Sequence, residues 1–151
     1  MSEQPHCLET LYKELACVLG DAVWSFARIE WLTYRCLRSL SRDRLDELVG
    51  DLNFHNRTMI LRRLVDAKTS TQSKKERAYK AIKAAEDLSN RRNIIVHNPW
   101  QIWVDLDSEQ LMTQIEKYSL RDKTVDLDGL REFKKQAGEV EAELKEAVNA
   151  L

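Results

Sequence analysis

The most constraining feature of the sequence is an apolar stripe that runs with helical spacing through residues 8–40. With Phe26 as reference and a turn of about 100° per residue, the large apolar side chains of this stretch fall on one side of a helix. The members of the stripe are Leu15, Val18, Leu19, Ala22, Val23, Phe26, Ile29, Thr33, Leu37 and Leu40. Proline is absent from the stretch, so the pattern predicts one long helix, in which Gly20 is the expected point of any bend or break.

A second set of apolar side chains lies on the opposite side of this helix. Trp24 and Trp31, seven residues apart, lie near Cys17 and Ala27 by the same construction. A helix that is apolar on two sides is either central in its bundle or packed against a second subunit as well. The sequence leaves both arrangements open.

Three more long helices and a small β region are predicted downstream. The predicted elements are a short helix from Arg42 to Val49, a helix capped by Asn53, a helix capped by Ser73 and ended by Pro99, a hairpin or meander between Trp100 and Leu127, and a last helix from Asp128. Only 4 Gly and 2 Pro occur among 151 residues, of which 32% are charged, and this composition favours amphipathic helices. We therefore expect a mainly α fold, a single domain over residues 1–151, built as a bundle of four main helices with the β insertion before the last one.

Cysteine usage and hydropathy indicate where such a chain works. Cys7, Cys17 and Cys36 are odd in number and widely spaced, which is typical of a reducing compartment. No apolar run approaches the roughly 20 residues of a membrane span, and the first residues lack the pattern of a secretory signal. The expectation is a cytoplasmic protein without membrane association. No zinc-ligand set, Walker A or dinucleotide-binding pattern occurs, so neither a metal nor a cofactor is expected.

Charge is unevenly distributed along the chain. The net charge of the whole chain is −1, yet residues 57–92 hold 11 basic and 4 acidic side chains. Residues 1–56 and 93–151 carry the compensating acidic excess. The middle third can meet a polyanion such as RNA, or it can be a solvated face whose cations offset acidic neighbours.

Two charged residues fall where the core is expected. Arg92 lies in the middle of the apolar stripe of its helix, between Leu88 and Val96, and Glu30 lies on the stripe of the first helix. A lone buried charge costs several kcal/mol or more, so the two residues are expected to meet. Such a pair either fixes the register of two helices or holds the guanidinium in place for an anionic ligand.

Asn93 and His97 lie one turn apart beside that stripe, so they are neighbours on one helix face. His97 precedes Pro99 by two residues and therefore falls at the helix C-terminus, where the helix dipole favours a cation. A histidine beside a long arginine can bind a phosphate, and it can also act as a general acid or base.

These residues resemble a known motif. Arg92, followed by Asn93 and, after three apolar residues, by His97, is similar to the Arg-x4–6-His motif of HEPN-domain proteins, which have all-helical domains with the motif near a helix end. The long first helix and the step from His97 to Trp100 resemble small bacterial HEPN-like proteins. The architectural resemblance covers most of the chain, whereas the motif covers about six residues.

The resemblance implies a metal-independent endoribonuclease, commonly a homodimer whose two motifs face one another across the interface. Arg92 would bind and polarise the scissile phosphate, and His97 would act as general acid or base. Asn93 would orient His97 or touch the phosphate, Arg91 would be a second phosphate contact, and Glu30 would hold Arg92. Many such proteins work in toxin–antitoxin or phage-defence systems, which implies an antitoxin-like partner.

Two other functions remain open at this point. Some HEPN-like proteins do not cleave RNA and instead bind RNA, nucleotides or proteins. This second function is favoured by Asn98-Pro99, which stand where many relatives have glycine after the histidine. The chain could also be a purely structural dimeric bundle with Trp24 and Trp31 in its interface. The near-neutral total charge, which gives little broad attraction to RNA, favours that third interpretation.

Overall fold

The computed structural model of the chain describes residues 4–105, 107, 110–117 and 120–151. In this part of the chain four long helices and one short helix surround a buried core, and a three-stranded sheet precedes the last helix. The mainly α fold with a β meander before the last helix is thereby confirmed. The elements are α1 (Gln4–Leu40), α2 (Leu45–Leu48), α3 (Phe54–Ala67), α4 (Gln72–His97), β1 (Trp100–Asp105), β2 (Gln110–Lys117), β3 (Leu120–Asp126) and α5 (Leu127–Asn149).

The long first helix is continuous through Gly20. Most of its predicted stripe is buried or half-buried, but Val23 is exposed and lies outside the core. Trp24 and Trp31 are exposed as well. Within a single chain, α1 is therefore not surrounded by other helices. Its second apolar side faces solvent.

The helix ends match the predicted ones to within a few residues. The side chain of Asn53 accepts a hydrogen bond from the backbone N–H of Asn56 at 2.9 Å, as expected of an N-cap. The predicted cap at Ser73 is wrong, because α4 begins at Gln72 after Thr71, which makes no side-chain cap bond. The last helix begins just ahead of Asp128, with the carboxylate of Asp126 accepting from Gly129 N at 2.7 Å.

Ion pairs between helices reveal their relative directions. Glu14, Asp21 and Arg28 of α1 contact Arg131, Lys134 and Glu141 of α5 in the same order, so these two helices run parallel. Near one end of the α4–α5 pair, Arg77 binds Glu143, and near the other Arg91 binds Gln136, so α4 runs antiparallel to α5. The C-terminal end of α4 consequently lies beside α1, where Arg92 contacts Glu30.

The antiparallel sheet has the order β1-β2-β3 and attaches to the core through Ile115 of β2. Ile115 pairs in register with Trp100 of β1 and with Val125 of β3. It joins a buried cluster that also contains Phe26, Phe54, Ala85, Leu88, Ile95, Leu130 and Phe133. A second buried cluster fills the other end of the bundle, around Leu37, Leu61, Ile82 and Leu144. The sheet-side cluster borders the last two turns of α4, where the motif residues lie.

Candidate functional site

Glu30 and Arg92 form an ion pair between α1 and α4. Arg92 Nη2 donates to Glu30 Oε1 at 2.8 Å, which confirms the predicted meeting of the two charges. The Arg92 side chain is 24% exposed and the Glu30 side chain is 29% exposed. The contact of Arg92 Nη2 with Glu30 is partly buried and the contact of its Nη1 with Asn93 is exposed, so the pair lies at the edge of the core and a ligand can approach the guanidinium from the Nη1 side.

Further contacts orient the guanidinium of Arg92. Its Nη1 donates to Asn93 Oδ1 at 3.1 Å, and its central carbon lies 5.2 Å from the centre of the Phe26 ring. A cation over an aromatic face is attracted by the ring quadrupole. Glu30, Asn93 and Phe26 together hold the Arg92 side chain in one position.

His97, the last residue of α4, has an exposed side chain. In the described part of the chain its ring has no hydrogen-bond partner, and the oxygen of Asn93 is directed to Arg92 instead. His97 lies five positions after Arg92, which corresponds to about 140° around the helix and about 7.5 Å along it. The structure thus brings Arg92, Glu30 and Asn93 together, whereas His97 lies on another side of the same helix end.

The side chain of Arg91 is occupied by α5. Its Nη1 donates to Gln136 Oε1, and the guanidinium lies 5.5 Å from the centre of the Phe133 ring. The residue is half-buried. Arg91 would have to leave Gln136 in order to contact a phosphate beside Arg92.

Asn98 and Pro99 close the C-terminal end of α4. Asn98 Nδ2 donates to the carbonyl oxygen of Ile94 at 2.8 Å and so occupies one of the free carbonyls at the helix end. Pro99 then leads into β1. The backbone immediately after His97 is therefore fixed by this side chain.

A second arginine, outside the motif and the apolar-stripe pattern described above, is the most buried basic residue of the described chain. Arg57 of α3 is only 6% exposed. Its guanidinium donates to Thr33 Oγ1 at 3.2 Å, to the Tyr34 hydroxyl at 2.7 Å and to the Leu52 carbonyl at 2.6 Å. All of these acceptors are neutral, and no carboxylate contacts Arg57 within the described residues. The signal was present in the sequence, since Arg57 has helical spacing to Phe54 and Leu61.

The two arginines belong to one cluster. Arg92 lies over Phe26 and Arg57 lies near Phe54, and the two rings are 5.3 Å apart. Thr33, which accepts from Arg57, donates to the backbone carbonyl of Glu30 at 2.7 Å. The helical turn that carries Glu30 is therefore fixed from both α3 and α4.

Many cations of residues 57–92 are neutralised by carboxylates. Arg62 binds Glu86 at 2.9 Å, and Arg77 binds Glu143 at 2.6 Å and Glu146 at 3.0 Å. Burial of Glu86 acts to raise the pKa of its carboxyl, but hydrogen bonds from Arg62 and Thr58 outweigh burial, so the pKa lies below its usual value. The hydrogen bond from Arg77 lowers the pKa of Glu143. The basic excess of this segment is thus partly offset by acidic neighbours.

Other chemistry finds little support in the described residues. They contain no group of three or more His, Cys, Asp or Glu side chains that could hold a metal ion. Burial raises the pKa of the Cys36 thiol to about 12, although the nearby Arg35 opposes the shift, so this thiol is a poor nucleophile. No helix among the described residues has the length and apolar character needed to cross a membrane.

Comparisons with models of protein families, with curated proteins and with solved structures gave no significant match to this chain.

Proposed function

We propose that the protein is a metal-independent endoribonuclease of the HEPN type, in which Arg92 binds the scissile phosphate and His97 transfers a proton. The observation that supports this proposal is the position of Arg92, whose guanidinium is held in place by Glu30 and yet keeps a solvent-open side at the end of α4. The exposed His97 lies within the spacing that the motif requires.

The proposed reaction needs the RNA, these side chains and solvent water, which carries whichever of the two protons His97 does not. The 2′-hydroxyl oxygen attacks the adjacent phosphorus, its proton passes to a base, and the bond to the 5′-oxygen breaks as that oxygen takes up a proton. The products are a 2′,3′-cyclic phosphate and a 5′-hydroxyl. The Arg92 guanidinium stabilises the charge that develops on the phosphoryl oxygens, and the imidazole of His97 is the proton donor or acceptor.

Glu30 is proposed to be a positioning residue. It does not reach the phosphate; it keeps the guanidinium of Arg92 ordered before RNA arrives, which reduces the entropy lost on binding. A toxin or phage-defence role, with an antitoxin-like partner that masks the site, belongs to the same proposal and rests on the motif.

Cleavage of mixed RNA by the purified protein in the presence of EDTA tests this proposal. We expect cleavage in EDTA, and we expect Arg92→Ala and His97→Ala each to reduce its rate by roughly a hundredfold or more, the usual contribution of a positioned acid or base. Arg63→Ala is the matched control, because it removes an exposed arginine from α3 and should leave the rate within about twofold. Undiminished cleavage by either site variant would refute the mechanism.

The geometry also supports a second candidate, a non-catalytic module that binds RNA, a nucleotide or a protein. Glu30 neutralises Arg92, Asn93 accepts from it instead of contacting His97, and Asn98 fixes the backbone next to His97. This function predicts salt-sensitive RNA binding without cleavage. If the protein neither cleaves nor binds RNA, the structural bundle becomes the preferred interpretation.

A further inference from the structure

The outer face of α1 carries large apolar side chains that stay mostly exposed in the described chain, although the Trp31 ring meets the ring of Tyr34 on the same helix at 6.5 Å between centres. It consists of Cys17, Gly20, Trp24, Ala27 and Trp31, all of which are exposed, and we call it the tryptophan face. Trp24 and Trp31 are 71% and 68% exposed. Two indoles on one exposed face are typical of an interaction surface.

The spacing and the side-chain sizes on the tryptophan face indicate what covers it. Its members recur at alternating intervals of three and four residues, which is the seam of a helix that packs against another helix. Along this seam the large Trp24 and Trp31 alternate with the small Gly20 and Ala27. When two copies of such a seam run antiparallel, the large side chains of one copy can lie opposite the small residues of the other.

We propose that α1 pairs antiparallel with α1 of a second copy, with Trp24 against the partner's Ala27 and Trp31 against the partner's Gly20. In an antiparallel pair, a residue that lies further toward the C-terminus of one helix faces a residue that lies equally further toward the N-terminus of the other. The register that sets Trp24 against Ala27 therefore also sets Trp31 against Gly20, seven residues away on each helix. One two-fold axis satisfies all four large-to-small contacts.

The free space on α1 fits this register. A groove of about 340 Å³ between α1 and α5 is lined by Trp24, Ala27 and Trp31, the position where the indole of the partner's Trp24 would insert. An apolar cavity of roughly 150 Å³ holds a benzene ring, so an indole fits here. Nothing lies within 4 Å of a Cβ placed on Gly20, which leaves room for the partner's Trp31.

Charges on the exposed sides of α1 also favour an antiparallel pair. The charges on these sides are acidic in the first half of the helix and basic in the second, apart from Lys13, which binds Glu9. The charges in question are Glu9, Glu14 and Asp21, then Arg28, Arg35 and Arg38. The proposed register brings Asp21 close to the partner's Arg28 and Glu14 close to the partner's Arg35.

Three of these charges already bind α5 of their own chain. Asp21 contacts Lys134, Arg28 contacts Glu141 and Glu14 contacts Arg131, so pairing would extend each contact into a network of alternating sign. Arg35 has no ion pair among the described residues, and the partner's Glu14 would supply one. A parallel pair would instead stack Trp24 on Trp24 and leave Gly20 opposite Gly20.

The size of the surface is compatible with a stable dimer. A buried tryptophan removes about 150–250 Å² from solvent, so two per copy contribute roughly 300–500 Å². A stable interface buries roughly 800 Å² per partner, and the flanking charged side chains and the nearby surface of α5 must provide the remainder. The inference does not depend on RNA cleavage, since either can hold without the other.

Sedimentation of the 151-residue chain over a range of concentrations tests the proposal. We expect a dimer for the wild type and at least about a hundredfold weaker association for Gly20→Leu, because an overpacked contact would occur twice by symmetry. The monomer should tolerate this change, since the site is open and leucine favours helix. Asn90→Leu is the matched control, because it adds the same side chain at an exposed position of α4, a helix that contributes no residue to the groove at the tryptophan face, and it should leave the dimer intact. Circular dichroism checks that both variants are folded.

Two further variants test the register. Trp31→Ala added to Gly20→Leu should restore association at least tenfold, because the leucine then faces an alanine. In a Cys7→Ser background, oxidation should form no disulfide between the two Cys17 residues, which lie roughly 25 Å apart in the antiparallel pair. A monomeric wild type, a Gly20→Leu protein that associates like the wild type, the absence of rescue, or a disulfide through Cys17 would each overturn the proposal.

Discussion

Glu30 and Arg92 contact each other where the core meets solvent, and that position determines what their pairing contributes. A fully buried pair contributes little net stability because of its desolvation cost, and a fully exposed pair is screened by water. With about a quarter of each side chain exposed, this pair lies between the two limits. It can stabilise the α1–α4 contact and still leave Arg92 able to bind an anion.

Replacement of Glu30 measures that contribution. We expect Glu30→Gln to lower the free energy of unfolding by about 1–2 kcal/mol, because the half-buried Arg92 cation then donates to a neutral amide oxygen instead of a carboxylate. Urea unfolding measures the change, and a double-mutant cycle with Arg92→Gln isolates the coupling. Glu9→Gln, which disrupts the exposed pair with Lys13, should cost less than about 0.5 kcal/mol. Equal costs for the two variants would contradict the structural role of Glu30.

Arg57 is held without a carboxylate in the described chain. Its contacts are a hydroxyl on Thr33, a hydroxyl on Tyr34 and the Leu52 carbonyl, together with the face of Tyr34 at 4.3 Å. Tyr34 in turn donates to the carbonyl of Gly50 at 3.0 Å. The planar guanidinium thus connects α1, α3 and the segment between α2 and α3.

Both truncation of Arg57 and its replacement by lysine should lower the free energy of unfolding. We expect Arg57→Ala to lower the free energy of unfolding by about 2–4 kcal/mol, because it leaves buried acceptors unpaired and opens a cavity. Arg57→Lys should cost at least about 1 kcal/mol, since an ammonium cannot reproduce the planar set of donors. Chemical denaturation provides the measurement, with the exposed Arg63→Ala within about 0.5 kcal/mol of the wild type. A near-neutral Arg57→Ala would show that the network adds little.

At the scale of elements, polar contacts hold α3 against α4 outside the core. Arg62 binds Glu86 through both carboxylate oxygens, and the Tyr79 hydroxyl donates to Asp66. The hydrogen bond to Asp66 raises the pKa of Tyr79. These contacts make the packing of the two helices sensitive to pH.

Acid should weaken the α3–α4 contact through Glu86. The pKa of its carboxyl lies below the ordinary 4.5 in the folded protein, so the associated stability is present above that value and is lost as the pH falls through the lowered pKa. We expect Glu86→Gln to be less stable than the wild type by about 1 kcal/mol at neutral pH, and this difference to narrow as the pH falls below 4.5. Urea unfolding at several pH values measures the difference. Glu139→Gln, at an exposed site on α5, should give a small difference at every pH, and a constant deficit for Glu86→Gln would contradict the assignment.

Local patterns in the sequence predict the helices well and their boundaries less well. Periodicity locates every long helix because each one buries a single stripe, and Asn53 is a cap because its side chain reaches a free N–H. Ser73 and Glu76 match a capping pattern equally well, but α4 starts at Gln72, whose side chain bonds Glu76 instead. Competing local hydrogen bonds determine which residue caps the helix, and the spacing of residues in the sequence does not show which of these bonds forms.

At the scale of the whole molecule, the sequence predicts which charges need partners better than it predicts where the partners are. The apolar stripes of α1 and α4 predict the Glu30–Arg92 contact, since each residue is a charge on an apolar face. It does not show that Arg91 reaches Gln136 or that the basic segment is offset by Glu143 and Glu146 of α5. Those contacts depend on the relative rotation of packed helices, which is a property of the tertiary fold.

The parallel packing of α1 and α5 has a consequence for synthesis of the chain. Arg28 and Glu141 are 113 residues apart in sequence, as are Asp21 and Lys134. At 5–20 residues per second the ribosome needs roughly 6–23 s to make the segment between them, during which the buried stripe of α1 has no α5 to cover it. The nascent chain therefore exposes Phe26 and Ile29 for seconds, a period in which chaperones can bind it and in which neighbouring chains on one message can meet.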